Sequence, residues 1–304
     1  MDISGFIASL RTSSAETRRA YRQDLEKFEA FLRAQGLRVN QVKPSTIDAF
    51  VEHLSATKGR TAGAELAPAT VARKLAVLSS FFDFLADNSE VPIRNPVTKA
   101  RRPKVNNELP RDVDEQTLAS LVEGITDSRD RAIVLLFLYS GLRLSELQHL
   151  NKDTITLKRR TLPDGTFDYI GIGEVVGKGG KRRTFLAGLK AMQAVAQYVS
   201  ERGFTDSEPA LFISNRKRRM TCRAIQLVVD KWCKRLGLAH IHAHQLRHSF
   251  ATRNVNAGMS SAVLKELMGH SNLTTTQRYY HMREERLTRE YFSVMEYVTQ
   301  CQAV

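Results

Sequence analysis

Cysteine is scarce, with only Cys222, Cys233 and Cys301 in 304 residues. An odd number with no C-x-x-C spacing argues against a disulfide framework or a cysteine zinc site, and fits a reducing compartment. Long apolar runs are missing too. No stretch of 18 apolar residues occurs, and the opening segment MDISGFIASLRTSS has no basic start followed by an apolar run. Neither a membrane span nor a leader is therefore expected. Acidic residues are outnumbered, 32 against 46 basic, which leaves a net charge of +14. That surplus points to a polyanionic partner, because neutralising phosphates releases their counterions. The basic residues are spread over many segments and no basic amphipathic helix stands alone, which favours nucleic acid over a membrane surface. A soluble, cytoplasmic protein is expected.

The length suggests two domains, and apolar residues at 42% suffice for two cores. The first hundred residues read as a small helical bundle. Ser13 and Glu16 have capping-box spacing ahead of a stripe formed by Tyr21, Leu25, Phe28 and Leu32. Ser45 and Asp48 predict the start of a second helix burying Ile47, Phe50, Val51 and Leu54. A third follows Pro68, with Val71, Leu75, Leu78, Phe82 and Leu85 on one side. Residues 94–110, RNPVTKARRPKVNNELP, hold three prolines and no apolar period, as a linker would. The expected division is thus a helical domain over 1–93, a linker over 94–110 and a larger domain over 111–304.

In the larger domain helices are expected at 118–122 and 133–138, the second stopped by Ser140-Gly141. Strand-like runs follow at 154–157, 169–172 and 174–186, with the GKGGK stretch as a hairpin tip. Helices resume at about 188–201 and 222–236, the latter capped by Thr221. The fold class is mainly α with a small β-sheet in the C-terminal domain.

Several polar groups in this domain are not accounted for by a solvated surface. Arg143 follows a helix stop in SGLRLSEL, with Glu146 at i+3. Lys178 sits in the hairpin tip, with Lys181, Arg182 and Arg183 behind it. In HIHAHQLRHSFAT, His244 and Arg247 are three apart and share a helix face. His244 and His248 have the spacing of a zinc pair. Gln245 replaces the glutamate of H-E-x-x-H, however, and Arg247 would set a fixed cation beside the ion, so no metal is expected. His270 follows Gly269, and Tyr279 lies nine residues later in GHSNLTTTQRYYH.

One chemistry uses all of them. A phosphodiester attacked by an oxygen nucleophile gathers negative charge on its non-bridging oxygens, which fixed guanidinium groups stabilise through paired charge-assisted bonds. A tyrosine hydroxyl needs nearby positive charge or a base to become nucleophilic, and the leaving oxygen needs a proton from a lysine or histidine.

The motifs SGLRLSEL, GKGGKRR, HQLRHSFAT and LMGHSNLTTTQRYYH, in this order and spacing, resemble the tyrosine recombinase (phage integrase-like) family, and most closely its Xer-like branch. The resemblance implies a helical core-binding domain and a mixed α/β catalytic domain forming a C-shaped clamp on DNA. It implies that Arg143 and Arg247 hold the scissile phosphate, that Lys178 protonates the leaving 5′ oxygen, and that His244 accepts a proton. His270 becomes a second phosphate ligand, Tyr279 the nucleophile and Glu146 a support residue. Tyr280 remains the rival to Tyr279, and Lys181 the rival to Lys178, because residues 158–176 form a longer excursion than the compact pattern needs.

The resemblance also implies double-stranded DNA with specific recombination sites as partner, a Holliday-junction intermediate and a homotetramer on DNA, with a second recombinase as an open alternative. No cofactor is expected. Leu287, Tyr291, Val294 and Tyr297 share one face of a tail helix that docks in cis or in a neighbouring protomer. Arg18, Arg19 and Arg22 fall outside the first apolar stripe, and Arg73 and Lys74 lie opposite the third, so both sets are expected to face DNA. Lys181, Arg182 and the run Arg216, Lys217, Arg218, Arg219 and Arg223 are further candidates for phosphate contact. Two alternatives stay open: a type IB topoisomerase and a non-cleaving regulatory protein of the same fold.

Overall fold

The computed structural model describes residues 1–56, 66–88, 93–98, 113–161, 164–177, 180–203 and 207–269. Lys178, His270, Tyr279, Tyr280, the tail helix and most of the linker lie outside them. The chain divides into two compact units, Met1–Glu108 and Leu109–Val304.

The first unit is helical: α1 (Ile3–Ser9), α2 (Ala15–Ala34), α3 (Pro44–Ala56) and α4 (Pro68–Asn88). Its core joins Leu25, Phe28 and Leu32 of α2 to Ile47, Phe50 and Leu54 of α3 and to Val71, Leu75, Leu78 and Phe82 of α4. These are the residues of the three apolar stripes. Phe28 meets Phe50 edge-on at 4.9 Å between ring centres and Phe82 at 6.2 Å, a geometry that suits the ring quadrupoles. The starts differ from the expected ones. Ser14, not Ser13, caps α2, accepting from the Thr17 amide at 3.1 Å, because Ser13 closes the preceding turn on the Leu10 carbonyl. Pro44 takes the first position of α3, where its missing N–H costs nothing, so Ser45 lies inside the helix. Helix α1 has no counterpart in the sequence reading. Its seven residues bury only Ile3, Phe6 and Ile7, too few to show a period.

The same unit corrects one expectation about the basic surface. Lys74 is 5% exposed and its ammonium is bonded to buried Asp24. Arg73, half-exposed, forks onto the same carboxylate, with its second bond at 3.3 Å. A carboxylate on the apolar side of α2 would be costly alone, and α4 supplies both its cations. Lys74 therefore stitches α4 to α2, and Arg73 is committed in part to the same pairing.

The second unit is built round α6 (Ser128–Ser140), whose residues Ile133 to Leu138 are all buried. A helix apolar on every side sits inside a core. Around it pack α5 (Glu115–Gly124), α8 (Leu189–Arg202), α9 (Cys222–Arg235) and α10 (Ala243–Asn256). Buried Asp130 ties α6 to α9, accepting from Trp232 at 2.8 Å and from Arg129 and Lys231. The sheet is antiparallel in the order β1 (Ile155–Thr161), β2 (Phe167–Val176), β3 (Arg182–Ala187). Strand β1 runs further than its apolar start suggested, because Lys158–Thr161 pair with Ile170–Phe167. Val176 faces Arg182, and the Gly177 amide donates to the Lys181 carbonyl at 2.8 Å, closing the hairpin root. Among the described residues the unit also holds two short helices, α7 (Leu144–His149) and α11 (Ser261–Met268). Among the described residues no helix is long and apolar enough to cross a membrane.

Candidate active site

Two left-handed glycines bring the site together. Gly141 ends α6 at φ 60°, and Gly269 ends α11 at φ 60°, a conformation that glycine adopts at no steric cost. Space matters as well. A Cβ on Gly141 would lie 2.5 Å from the Phe250 ring, and one on Gly269 would lie 2.4 Å from the Arg183 stem.

Just past Gly141, Arg143 starts α7. Its amide donates to Glu146 Oε2 at 2.7 Å, its Nη1 to Glu146 Oε1 at 2.7 Å, and its Nη2 to the Gly269 carbonyl at 2.7 Å. The expected pairing of Arg143 with Glu146 is thus present, but it is not a surface pair, since the Glu146 side chain is 1% exposed. Arg247, on α10, is buried. It donates to the Gly141 carbonyl through Nη1 and to the Met268 carbonyl through Nη2, and Nη1 lies 3.8 Å from Glu146 Oε2. The two arginines expected to share a ligand, 104 residues apart in sequence, meet at one carboxylate.

A third arginine joins them. Arg183, on β3, donates to Glu146 through Nε at 3.2 Å and Nη2 at 2.6 Å, and to the Leu267 carbonyl through Nη1. Three successive carbonyls at the end of α11, Leu267, Met268 and Gly269, thus accept from Arg183, Arg247 and Arg143. That helix end carries the negative pole of the backbone dipole. Sequence reading passed over Arg183 as one more basic residue behind the hairpin tip. The signal was its parity, since it shares a strand face with buried Phe185 and Ala187. Burial works against ionising Glu146, but the guanidinium of Arg183, the Arg143 amide and the attached charges outweigh it and hold the carboxyl below its ordinary range.

His244 lies one turn before Arg247 on α10 and keeps more than a third of its surface open. Protein packed round the ring, followed by the charges of Arg247, His248 and Arg143, lowers its pKa below the ordinary imidazole value. The imidazole is then unprotonated at neutral pH, ready to accept a proton. A cleft of ≈ 460 Å³ is lined by Arg143, His244 and Arg247, with Cys222, Gln226 and His242 along its side. A larger cleft of ≈ 740 Å³, where Arg253 pairs with Glu115, includes none of the expected site residues.

The hairpin root reaches this cluster. A Cβ on Gly177 would stand 3.4 Å from Glu146 Oε1 and 3.5 Å from Arg143 Nη1. Lys178 is the next residue in sequence, as His270 is next after Gly269. Of the wider basic set, Arg19, Arg22, Lys181, Arg182, Arg216, Lys217, Arg218 and Arg223 are exposed, and Arg18 is half-buried. Arg219 departs from expectation. Its guanidinium donates to the carbonyls of Gln148 and Leu150, each at 3.0 Å, and to the Asn151 side chain. It braces the end of α7 instead of facing outward. Among the described residues no group of three His, Cys, Asp or Glu could hold a metal ion.

The Phage integrase family model matches residues 109–286, and the Phage integrase N-terminal SAM-like domain matches residues 4–89. The chain belongs to the phage integrase family. Tyrosine recombinase XerC of Actinobacillus succinogenes is 34% identical over 293 residues, covering 94% of this chain and 93% of the relative. XerC of Haemophilus influenzae strain PittEE is 35% identical over 288 residues, covering 92% and 91%. Among solved structures, XerH site-specific recombinase bound to its palindromic difH substrate superposes with a TM-score of 0.70 at 22% identity, covering 97% of this chain and 84% of that one. The Tn1549 transposon integrase with transposon right-end DNA superposes at 0.66 and 18% identity, covering 97% and 100%. These structural likenesses establish the fold. With the XerC relatives, the family match makes this integrase-family enzyme a site-specific tyrosine recombinase of the Xer-like branch.

Proposed function

We propose that the enzyme cuts and rejoins double-stranded DNA at specific sites through a 3′-phosphotyrosine bond to Tyr279. The observation that carries this reading is the convergence of Arg143, Arg247 and His244 on one cleft, beside the hairpin root and the end of α11. Arg143 and Arg247 hold the non-bridging oxygens of the scissile phosphate. The Tyr279 oxygen attacks phosphorus as its proton passes to His244. The bond to the 5′ oxygen breaks, and Lys178 gives that oxygen its proton, with Lys181 as the rival donor. His270 is a second phosphate ligand. Religation runs the same steps backward, so the phosphodiester energy is kept and no cofactor is called for.

Residues 1–93 serve as the core-binding domain, 94–110 as the linker and 111–304 as the catalytic domain with its tail helix. Exposed Arg19, Arg22, Lys181, Arg182, Arg216, Lys217, Arg218 and Arg223, with Arg18, supply phosphate contacts. Four protomers, all of this chain or paired with a second recombinase, exchange strands through a Holliday junction in the cytoplasm.

DNA nicked near the scissile phosphate tests the reading, because the released fragment diffuses away and strands the covalent adduct. Wild type accumulates the adduct, whereas Tyr279→Phe forms none and binds DNA as before. A two-site assay that yields Holliday junctions separates recombination from topoisomerase-like relaxation, which yields none. Failure of the wild type to form any adduct leaves only a DNA-binding protein. The histidine makes a further prediction. Since its pKa is lowered, the base form persists at neutral pH and is lost only as pH falls below the ordinary value, about 6.5. Cleavage should fall on that acidic side. His244→Gln should be slower by about 10²-fold or more and lack that limb of the profile. An unchanged limb in the variant would assign it to another group.

A further inference from the structure

We propose that Arg183 is a positioning residue for strand cleavage, holding the root of the β2–β3 hairpin against Glu146 so that the hairpin's lysine reaches the leaving oxygen. The inference rests on the recombinase reading of the site. Arg183 faces Val175 across the ladder, one pair in from the Val176–Arg182 pair that closes the hairpin. Its side chain is 8% exposed, and its fork spans both Glu146 oxygens while Nη1 reaches the Leu267 carbonyl. The stem packs against the last turn of α11 so closely that Gly269 has no room for a Cβ. Arg183 does not line the cleft shared by Arg143, His244 and Arg247, and its donors reach Glu146 and the Leu267 carbonyl, so it acts through other groups. It links the strand leading from the hairpin tip to the carboxylate that also orients Arg143. The second strand of the root is beside the same carboxylate at Gly177. Without that strut the hairpin can pivot about its two-strand stem, and a displacement of about 1 Å at a reacting group costs on the order of 10²-fold in rate.

The discriminating substrate carries sulfur in place of the bridging 5′ oxygen at the scissile phosphate. A thiolate leaves without a proton, since thiols ionise near pKa ~8.5. A defect confined to proton donation is therefore repaired, and a defect in phosphate binding or nucleophile placement is not. Arg183→Lys keeps a cation beside buried Glu146 but cannot span both oxygens. It should cleave ordinary DNA about 10²-fold more slowly, bind DNA within a few-fold of wild type, and recover to within a few-fold of wild type on the sulfur substrate. Thermal unfolding identifies loss of fold, which would slow both substrates alike. Ordinary cleavage at the wild-type rate, or equal slowing on both substrates, overturns the assignment.

Lys178→Ala and Lys181→Ala, measured in parallel, separate the two levels. If wild type forms no adduct, the recombinase reading fails. If wild type cleaves and sulfur rescues neither lysine variant, the proton-donor role fails and the Arg183 assignment with it. If a lysine variant is rescued and Arg183→Lys is not, only the Arg183 assignment fails.

Discussion

Arg247→Lys should slow formation of the covalent adduct by about 10³-fold while leaving DNA affinity within a few-fold of wild type. In the proposed mechanism the size follows from where the guanidinium acts. Removing one donor aimed at charge that develops in the transition state costs on the order of 10² to 10³ in rate, and lysine also loses the two-pronged geometry that fits a phosphate. Affinity changes little because it is shared among many backbone contacts. Lysine is preferred to alanine because Arg247 is 3% exposed and donates to the carbonyls of Gly141 and Met268. Alanine would add a folding defect to the catalytic one. Initial rates on nicked DNA at saturating protein, set beside binding isotherms, measure the two effects separately. Equal losses in binding and cleavage would contradict a role confined to the transition state.

Glu146→Gln should cost about 3–5 kcal/mol of stability at neutral pH, the range seen when one member of a buried ion pair is removed. Glu146 is buried, and its carboxylate answers Arg143, Arg183 and Arg247 together. Its loss leaves three guanidiniums around a neutral amide. The pH dependence follows from the direction of its shift. Because the folded pKa lies below the unfolded one, the contribution is fully present above the unfolded value, about 4.3. It disappears as pH falls through the lower folded value. Urea midpoints for wild type and variant should therefore differ most near neutrality and converge in acid. A constant gap down to the acid limit would show that Glu146 is not the group responsible. The variant should also cleave poorly, since Arg143 loses the partner that orients it.

The helical bundle was legible because its stripes are long. Leu25, Phe28 and Leu32 recur with the helix period over enough turns to show which face is buried. The cap at Ser14 and the seven-residue α1 were not, because adjacent serines offer equivalent side chains and a two-turn helix has too few apolar positions. Strand β1 was read short, since Lys158, Arg159 and Thr161 are exposed and need no apolar alternation.

At the site, Arg143, His244 and Arg247 were visible in their motifs, while what surrounds them was only partly visible. The partners of the arginines are backbone carbonyls at the end of α11, and any sequence provides carbonyls, so nothing local marks these. Lys74 and Arg219 show the opposite failure. A basic residue reads as outward-facing until a buried carboxylate such as Asp24, or the open carbonyls at the end of α7, appears from elsewhere in the chain.

The most direct test is to identify the linked amino acid. Wild-type enzyme is trapped on nicked DNA, digested with nuclease and protease, and the nucleotide-bearing peptide is sequenced by mass spectrometry. A 3′-phosphate ester on Tyr279 is the predicted result, and the same adduct should be missing from Arg247→Lys at matched early times. An ester on Tyr280, or on any residue outside GHSNLTTTQRYYH, would contradict the assignment of the nucleophile and the chemistry built on it.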